Sequence, residues 1–157
     1  MTPELFAEIG LSSALGLLPA LMDTADARAL VLAICLQESG LEARRQMGGG
    51  PARGYPQFEL TGIEGVLTHY ATRDHARRLC LALDIGPTGP AVYEAIEYND
   101  VLAAGFARLN LWWLPQRLPE QTMPDVGWTQ YLQTWNPGKP RLASWDENWT
   151  RAWSVRV

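Results

Sequence analysis

A single glutamate, Glu38, closes the apolar run "ALVLAICLQESG" at residues 29–40, and the glycine-rich stretch "GGGPARGYPQFE" (48–59) follows it. Val31, Ile34, Cys35 and Glu38 stand at offsets of three, four and seven, so on a helix they share one face, the face that should turn inward. Desolvation there disfavours the ionised carboxyl, and the negative end of the helix dipole in the last turn disfavours it again. Both raise the pKa, which keeps an acid protonated near neutrality and able to donate a proton. The competing reading is a helix-end glutamate that reaches back to water. Ser39 and Gly40 stop the helix abruptly, placing the acid at the lip of a cavity. Gly48, Gly49, Gly50 and Gly54 let a backbone approach another molecule closely, with Gln57 three residues beyond Gly54. A helix-end acid, a glycine loop and a Gly-x-x-Gln make the rim of a groove.

The elements that hold these residues read as helices joined by long, special loops, and the fold class expected is all-α in a single domain over 1–157. Residues 3–20 suggest a short helix followed by a broken apolar turn. "DTADARALVLAICLQESG" is the clearest helix, with Asp23 or Thr24 as its cap and Gly40 at its end. Residues 42–62 are a loop by composition, with at most a short β-hairpin near 50–60. A helical period returns over 63–85, with Val66, Leu67, Tyr70, Leu79 and Leu83 on its inner face. "GPTGP" (86–90) is a hard break, and 91–114 is a third long helical stretch. Beyond Pro115 the chain is proline-rich, reads as irregular, and holds five of the seven tryptophans. Trp145, Trp149 and Trp153 recur every four residues, the mark of a packed helical face. Trp112 and Trp113 are adjacent, so at most one of them faces the core well.

Composition narrows the function classes. With 157 residues, 47% of them hydrophobic and 19% charged, the chain is a globular domain with room for a core. A net charge of -4 and the lack of any basic run exclude nucleic acid as the main partner. Cys35 and Cys80 lie in separate apolar stretches and read as buried thiols rather than a disulfide. With His69 and His75 they match no zinc-ligand spacing, so neither a metal nor another cofactor is expected. The start of the chain has acids at Glu4 and Glu8 and no Lys or Arg before Arg28, unlike a secretory signal. "LSSALGLLPALM" is too short and broken to span a bilayer, so no stable membrane insertion is expected.

"QESG" followed by "GYPQFE" resembles the lysozyme-like lytic transglycosylases, whose first motif is Glu-Ser at a helix end and whose second is Gly-x-x-Gln. Their third, Tyr-Asn, is similar to Tyr98–Asn99 in "AIEYND". Small phage proteins that attack the bacterial wall carry the same Glu-Ser and Gly-x-x-Gln. The similarity covers about residues 25–110. Pro56 stands where the family has an apolar residue, "YND" lacks the glycine after Tyr-Asn, and the segment from about 111 matches none of the motifs.

The resemblance implies a lysozyme-like fold and cleavage of the β-1,4 bond between N-acetylmuramic acid and N-acetylglucosamine in peptidoglycan. Glu38 would be the general acid and then the base that forms a 1,6-anhydro product, with no second carboxylate needed. A hydrolase needs one, about 5–5.5 Å away if retaining or about 6.5–9.5 Å if inverting. Glu59 is the candidate, and a salt bridge to Arg53 is its alternative role. Ser39 is read as a substrate or Glu38 contact, Gln57 as a partner for an N-acetyl group, and Tyr55 as a ring for sugar stacking. Gly54 belongs to the same binding loop. Tyr98 is read as holding the Glu38 carboxyl through its hydroxyl, and Asn99 as binding substrate or supporting the loop. The partners implied are peptidoglycan glycan strands and other virion proteins. The protein would be made in the host cytoplasm and act in the periplasm or from the virion. Two alternatives stay open: a hydrolytic muramidase, and a lysozyme-like structural or wall-binding module without chemistry.

Overall fold

A computed structural model describes residues 1–155. Its architecture is all-α, as the periodicities suggest. The chain opens with α1 (Pro3–Leu5), passes through a π-helical turn (Phe6–Leu11) and continues as α2 (Ser12–Gly16). Two helices form the centre of the molecule. In α3 (Ala25–Ser39) every residue from Ala29 to Gln37 is buried, and in α7 (Asp100–Trp112) the same holds from Leu102 to Leu111. A helix apolar on all sides must be surrounded, and these two are. The π turn and α2 cover α7, and α9 (Trp145–Ser154) lies along α3. Thr24 caps α3 by accepting from the Ala27 N–H at 3.1 Å. Gly40 ends it in the left-handed region (φ 63°), its N–H returning to the Leu36 carbonyl at 3.0 Å.

Three expectations about the elements need correction. The stretch 63–85 is two helices, α4 (Leu60–Thr68) and α5 (Arg73–Ala82). Thr72 is buried between them and its hydroxyl donates to the Val66 carbonyl at 2.7 Å, which holds the corner. Tyr70, at that corner, is 81% exposed and has no place on an inner face. The stretch 91–114 likewise divides into α6 (Gly89–Ala95) and α7, because the Asn99 side chain accepts from the Leu102 N–H at 2.9 Å and starts a new helix.

The third correction concerns the chain beyond Pro115. It is not irregular: α8 (Pro124–Trp135) and α9 occupy most of it. The indoles explain the order. Trp135, Trp145 and Trp149 donate from Nε1 to the carbonyls of Pro56, Pro124 and Gln121 at 2.7, 2.8 and 2.9 Å. Each ring therefore fills space and also gives its N–H a carbonyl partner, two of them in loops and one in the first turn of α8. Trp145, Trp149 and Trp153 form the packed face that their spacing suggests, with neighbouring centroids 5.8 Å apart.

Around 45–58 only isolated antiparallel bridges form, Arg45 with Arg53 and Arg53 with Phe58. Cys35 and Cys80 are buried free thiols. Among the described residues no helix is long and apolar enough to cross a membrane.

Candidate active site

Glu38 lies in the last turn of α3, half-buried, at the wall of a cleft of about 1400 Å³. The cleft runs between the 42–62 segment, with Glu42, Gln57, Glu59 and Gly62, and the end of α8 with the loop after it, including Trp135, Asn136, Lys139 and Arg141. Burial holds the Glu38 carboxyl above the usual carboxylate range, and a hydrogen bond from Tyr131 and the charge of Arg141 pull part of the way back. The expected direction is therefore present, with burial as its main cause.

Tyr131, on α8, donates its hydroxyl to Glu38 Oε1 at 2.6 Å. Burial first, and then the neighbouring carboxyl, push the phenol far above its ordinary pKa, so it remains a donor. With Oε1 occupied by this bond, the carboxyl's own proton belongs on Oε2. The Tyr131 ring is stacked on Trp145, with centroids 5.5 Å apart and planes 14° from parallel, which fixes where the hydroxyl points.

The backbone beneath the acid is tied from both sides. Gln37 is buried, and its Nε2 donates to the Arg141 carbonyl at 2.8 Å while the Arg141 Nη2 donates to the Gln37 carbonyl at 2.7 Å. Ser144 and Asn148 both donate to Gln37 Oε1, at 3.1 and 2.9 Å. Ser39 does the corresponding work toward the glycine loop. Its hydroxyl lies 2.8 Å from the Tyr55 carbonyl and accepts from the Leu41 N–H at 3.2 Å. Ser39 lines the cleft, but these contacts make it a tie between helix end and loop.

Glycine at position 54 is required by backbone and neighbour together. Its φ is +70°, and a Cβ there would sit 2.7 Å from the Ile96 carbonyl oxygen. The tight turn brings Gln57 into the left-handed region (φ 54°), a strain on the order of 1 kcal/mol for a side-chain-bearing residue. Gln57 donates from Nε2 to the Gly54 carbonyl at 2.8 Å. That leaves its second N–H and its Oε1 for a ligand in the cleft.

A set of ion pairs anchors this loop to α7 and to the turn that precedes it. Arg44 forms a bidentate pair with Asp100, and Arg45 and Arg53 both reach the buried Glu97, at 2.8 and 3.6 Å. Hydrogen bonding from Arg45 is the main reason that Glu97 titrates below its usual range. Arg53 therefore does not pair with Glu59, and the salt bridge weighed for that residue is absent. Glu59 stands exposed at the cleft wall, just before α4.

Tyr55 and Tyr98 do not take the places that the sequence suggests, and Asn99 takes the supporting one of its two. Tyr55 is 4% exposed, set edge-on to Phe6 and covered by the Arg44 guanidinium, so its ring offers no face to a sugar. Tyr98 is 74% exposed, and its hydroxyl belongs to the Glu97–Arg45 group rather than to Glu38. Asn99 caps α7 and is thus a support. Gln57, Glu59 and Ser39 do share the cleft with Glu38. Tyr131, Trp135, Asn136 and Arg141 were missed. One signal was available: Trp128, Tyr131 and Trp135 fall at helical spacing inside "GWTQYLQTW".

Comparison with protein-family models, with curated proteins and with solved structures finds no match to this chain.

Proposed function

We propose that this protein is a lytic transglycosylase, cutting the β-1,4 bond between N-acetylmuramic acid and N-acetylglucosamine in peptidoglycan with Glu38 as its acid and base. One observation carries the reading: a half-buried carboxyl, held above its ordinary pKa by burial, faces a long open cleft with a locked tyrosine donor on one oxygen. A cleft of this size takes several sugar residues rather than a small metabolite, and its polar lining suits hydroxyl and acetamido groups.

In this reading Oε2 of Glu38 delivers its proton to the glycosidic oxygen, and the bond to muramic C1 breaks with oxocarbenium character. The carboxylate so formed keeps the Tyr131 hydrogen bond, which is worth most at that moment because the acceptor has become charged. Glu38 then takes the proton from the muramic 6-hydroxyl as its oxygen attacks C1, closing the 1,6-anhydro ring and restoring the acid. No water is consumed. Gln57 fits an acetamido group, and Trp135 and Asn136 complete the opposite wall. Hydrolysis is the second reading, favoured by Glu59, an exposed carboxylate lining the same cleft.

The test is release of soluble muropeptides from purified peptidoglycan by the wild type and by Glu38→Gln. Mass spectrometry should find anhydro-ended fragments with the wild type and none with the variant. Equal release by both proteins would remove Glu38 from the mechanism. No release by the wild type, on walls of several chemotypes, would leave a binding module.

A further inference from the structure

Outside the cleft the molecule carries an exposed cluster of aromatic rings. Tyr70 is 81% exposed and Trp113 37% exposed, with His69 between them. The His69 and Tyr70 centroids are 4.6 Å apart at 32°, and His69 and Trp113 are 6.0 Å apart at 47°. The arrangement is held in place: His69 Nδ1 accepts from the Ala71 N–H at 3.2 Å, which fixes the imidazole plane. A tyrosine at a two-helix corner has no packing reason to stand this far out of the protein.

The platform continues the cleft. Gly62, near the start of α4, lies against Phe58, whose ring meets Phe106 of α7, whereas His69, just past the end of α4, lies against Trp113, just past the end of α7. The two helices therefore advance in the same direction from the cleft toward the rings. Gly62 and Asn110 line the cleft, and His69 and Trp113 stand seven and three residues farther along. At about 1.5 Å per residue, Trp113 is about 5 Å and His69 about 10 Å beyond the cleft residue on its own helix, roughly the reach of one to two further sugars. Between them lies Gly65, over which there is open space.

We infer that Tyr70, His69 and Trp113 form a distal glycan subsite, on which a sugar of the strand held in the cleft stacks its C–H face. A polysaccharide fits better than a protein partner. A stable protein interface needs about 1,000 Å² or more with an apolar centre, whereas these rings are flanked by exposed Thr68, Glu64 and Arg73. Hydroxyl groups around a stacked pyranose use such a rim. The inference rests on the proposed cleavage reading, because the cleft supplies the strand.

The experiment measures binding of peptide-free peptidoglycan glycan strands in the Glu38→Gln background, where nothing is cut. Tyr70→Ala and Trp113→Ala are each compared with the parent, on long strands and on a tetrasaccharide. Each substitution should weaken long-strand binding by about five- to tenfold, the scale of one aromatic stacking contact, and leave tetrasaccharide binding unchanged. Tyr70→Ala removes only exposed surface, so loss of fold does not confuse its result. Unchanged long-strand affinity in both variants, while the wild type still cleaves peptidoglycan, would overturn the subsite and leave the cleavage reading intact. Equal weakening on both lengths would also overturn it, since a distal site cannot touch the short ligand. A parent that binds neither ligand would overturn both readings.

Discussion

Replacing Tyr131 by phenylalanine isolates the hydrogen bond that, among the described residues, the half-buried acid receives from a side chain. The ring keeps its stack on Trp145, at 5.5 Å and 14°, and only the hydroxyl at 2.6 Å from Glu38 Oε1 is lost. A hydrogen bond to a charged acceptor contributes about 1.5–3 kcal/mol, and less to a neutral carboxyl. On the proposed reading Glu38 is ionised when the glycosidic bond has broken, so most of that energy would be withdrawn from the reaction's high point. At about 1.4 kcal/mol per factor of ten, kcat should fall by about 10- to 100-fold. The pH profile adds a signature that simple misfolding would not give. Burial raises the Glu38 pKa and Tyr131 opposes it, so removing the hydroxyl leaves only the charge of Arg141 against burial and raises the pKa further. The alkaline limb of activity, where Glu38 loses its proton, should move to higher pH while the maximum rate drops. The assay is initial muropeptide release across the pH range, with Tyr131→Phe beside the wild type. A lower rate with an unmoved alkaline limb, or a limb moved toward acid, would refute the assigned role.

Other outcomes follow from the same contacts. The Glu38 carboxyl titrates higher when folded than when unfolded, so its favourable contribution is complete below the ordinary carboxylate range and lost as pH rises through the raised value. Glu38→Gln should therefore melt at a higher temperature than the wild type at mildly alkaline pH, with the gap closing in acid; a wild type that melts higher at alkaline pH would contradict this. Gly54→Ala places a Cβ 2.7 Å from the Ile96 carbonyl oxygen at φ +70°, and should cost about 2–4 kcal/mol in urea unfolding. A neutral result there would mean that the turn adjusts freely. Glu97→Gln should loosen the loop that Arg45 and Arg53 anchor, seen as faster tryptic cutting after Arg45. Because Arg45 holds the Glu97 pKa down, the wild-type loop should show the same loosening as pH falls through that lowered value, and a cutting rate independent of pH would count against the anchor.

The acid, its helix and the Gly-x-x-Gln turn were legible because their signals are local. Glu38 sits on a stripe three and four residues from Cys35 and Ile34, and Gly40 and Gly54 are the residues that left-handed backbone favours. The partner of the acid was not legible, because Tyr131 is 93 positions away in a segment whose prolines read as irregular structure. Those prolines instead mark boundaries: Pro124 opens α8, and Pro137 and Pro140 follow its end. Tyr98 attracted the role that belongs to Tyr131 because it stands in a Tyr-Asn pair, but Asn99 is occupied in capping α7 and turns Tyr98 outward. Tyr70 was assigned to a core because 63–85 has helical period throughout. The break at 69–72 uses no glycine or proline and depends on the Thr72 hydroxyl reaching the Val66 carbonyl. A side-chain hydrogen bond of that kind leaves no pattern in a sequence.

The most direct test of the central claim, that Glu38 both gives and takes the proton without water, is product analysis in heavy-oxygen water. Purified glycan strands are cut by the wild type and the new ends are weighed. Anhydro-muramic ends without the heavy isotope, formed by the wild type and absent with Glu38→Gln, are the predicted result. Reducing ends carrying one heavy oxygen at muramic C1 would contradict it and place the second carboxylate, Glu59, in the reaction.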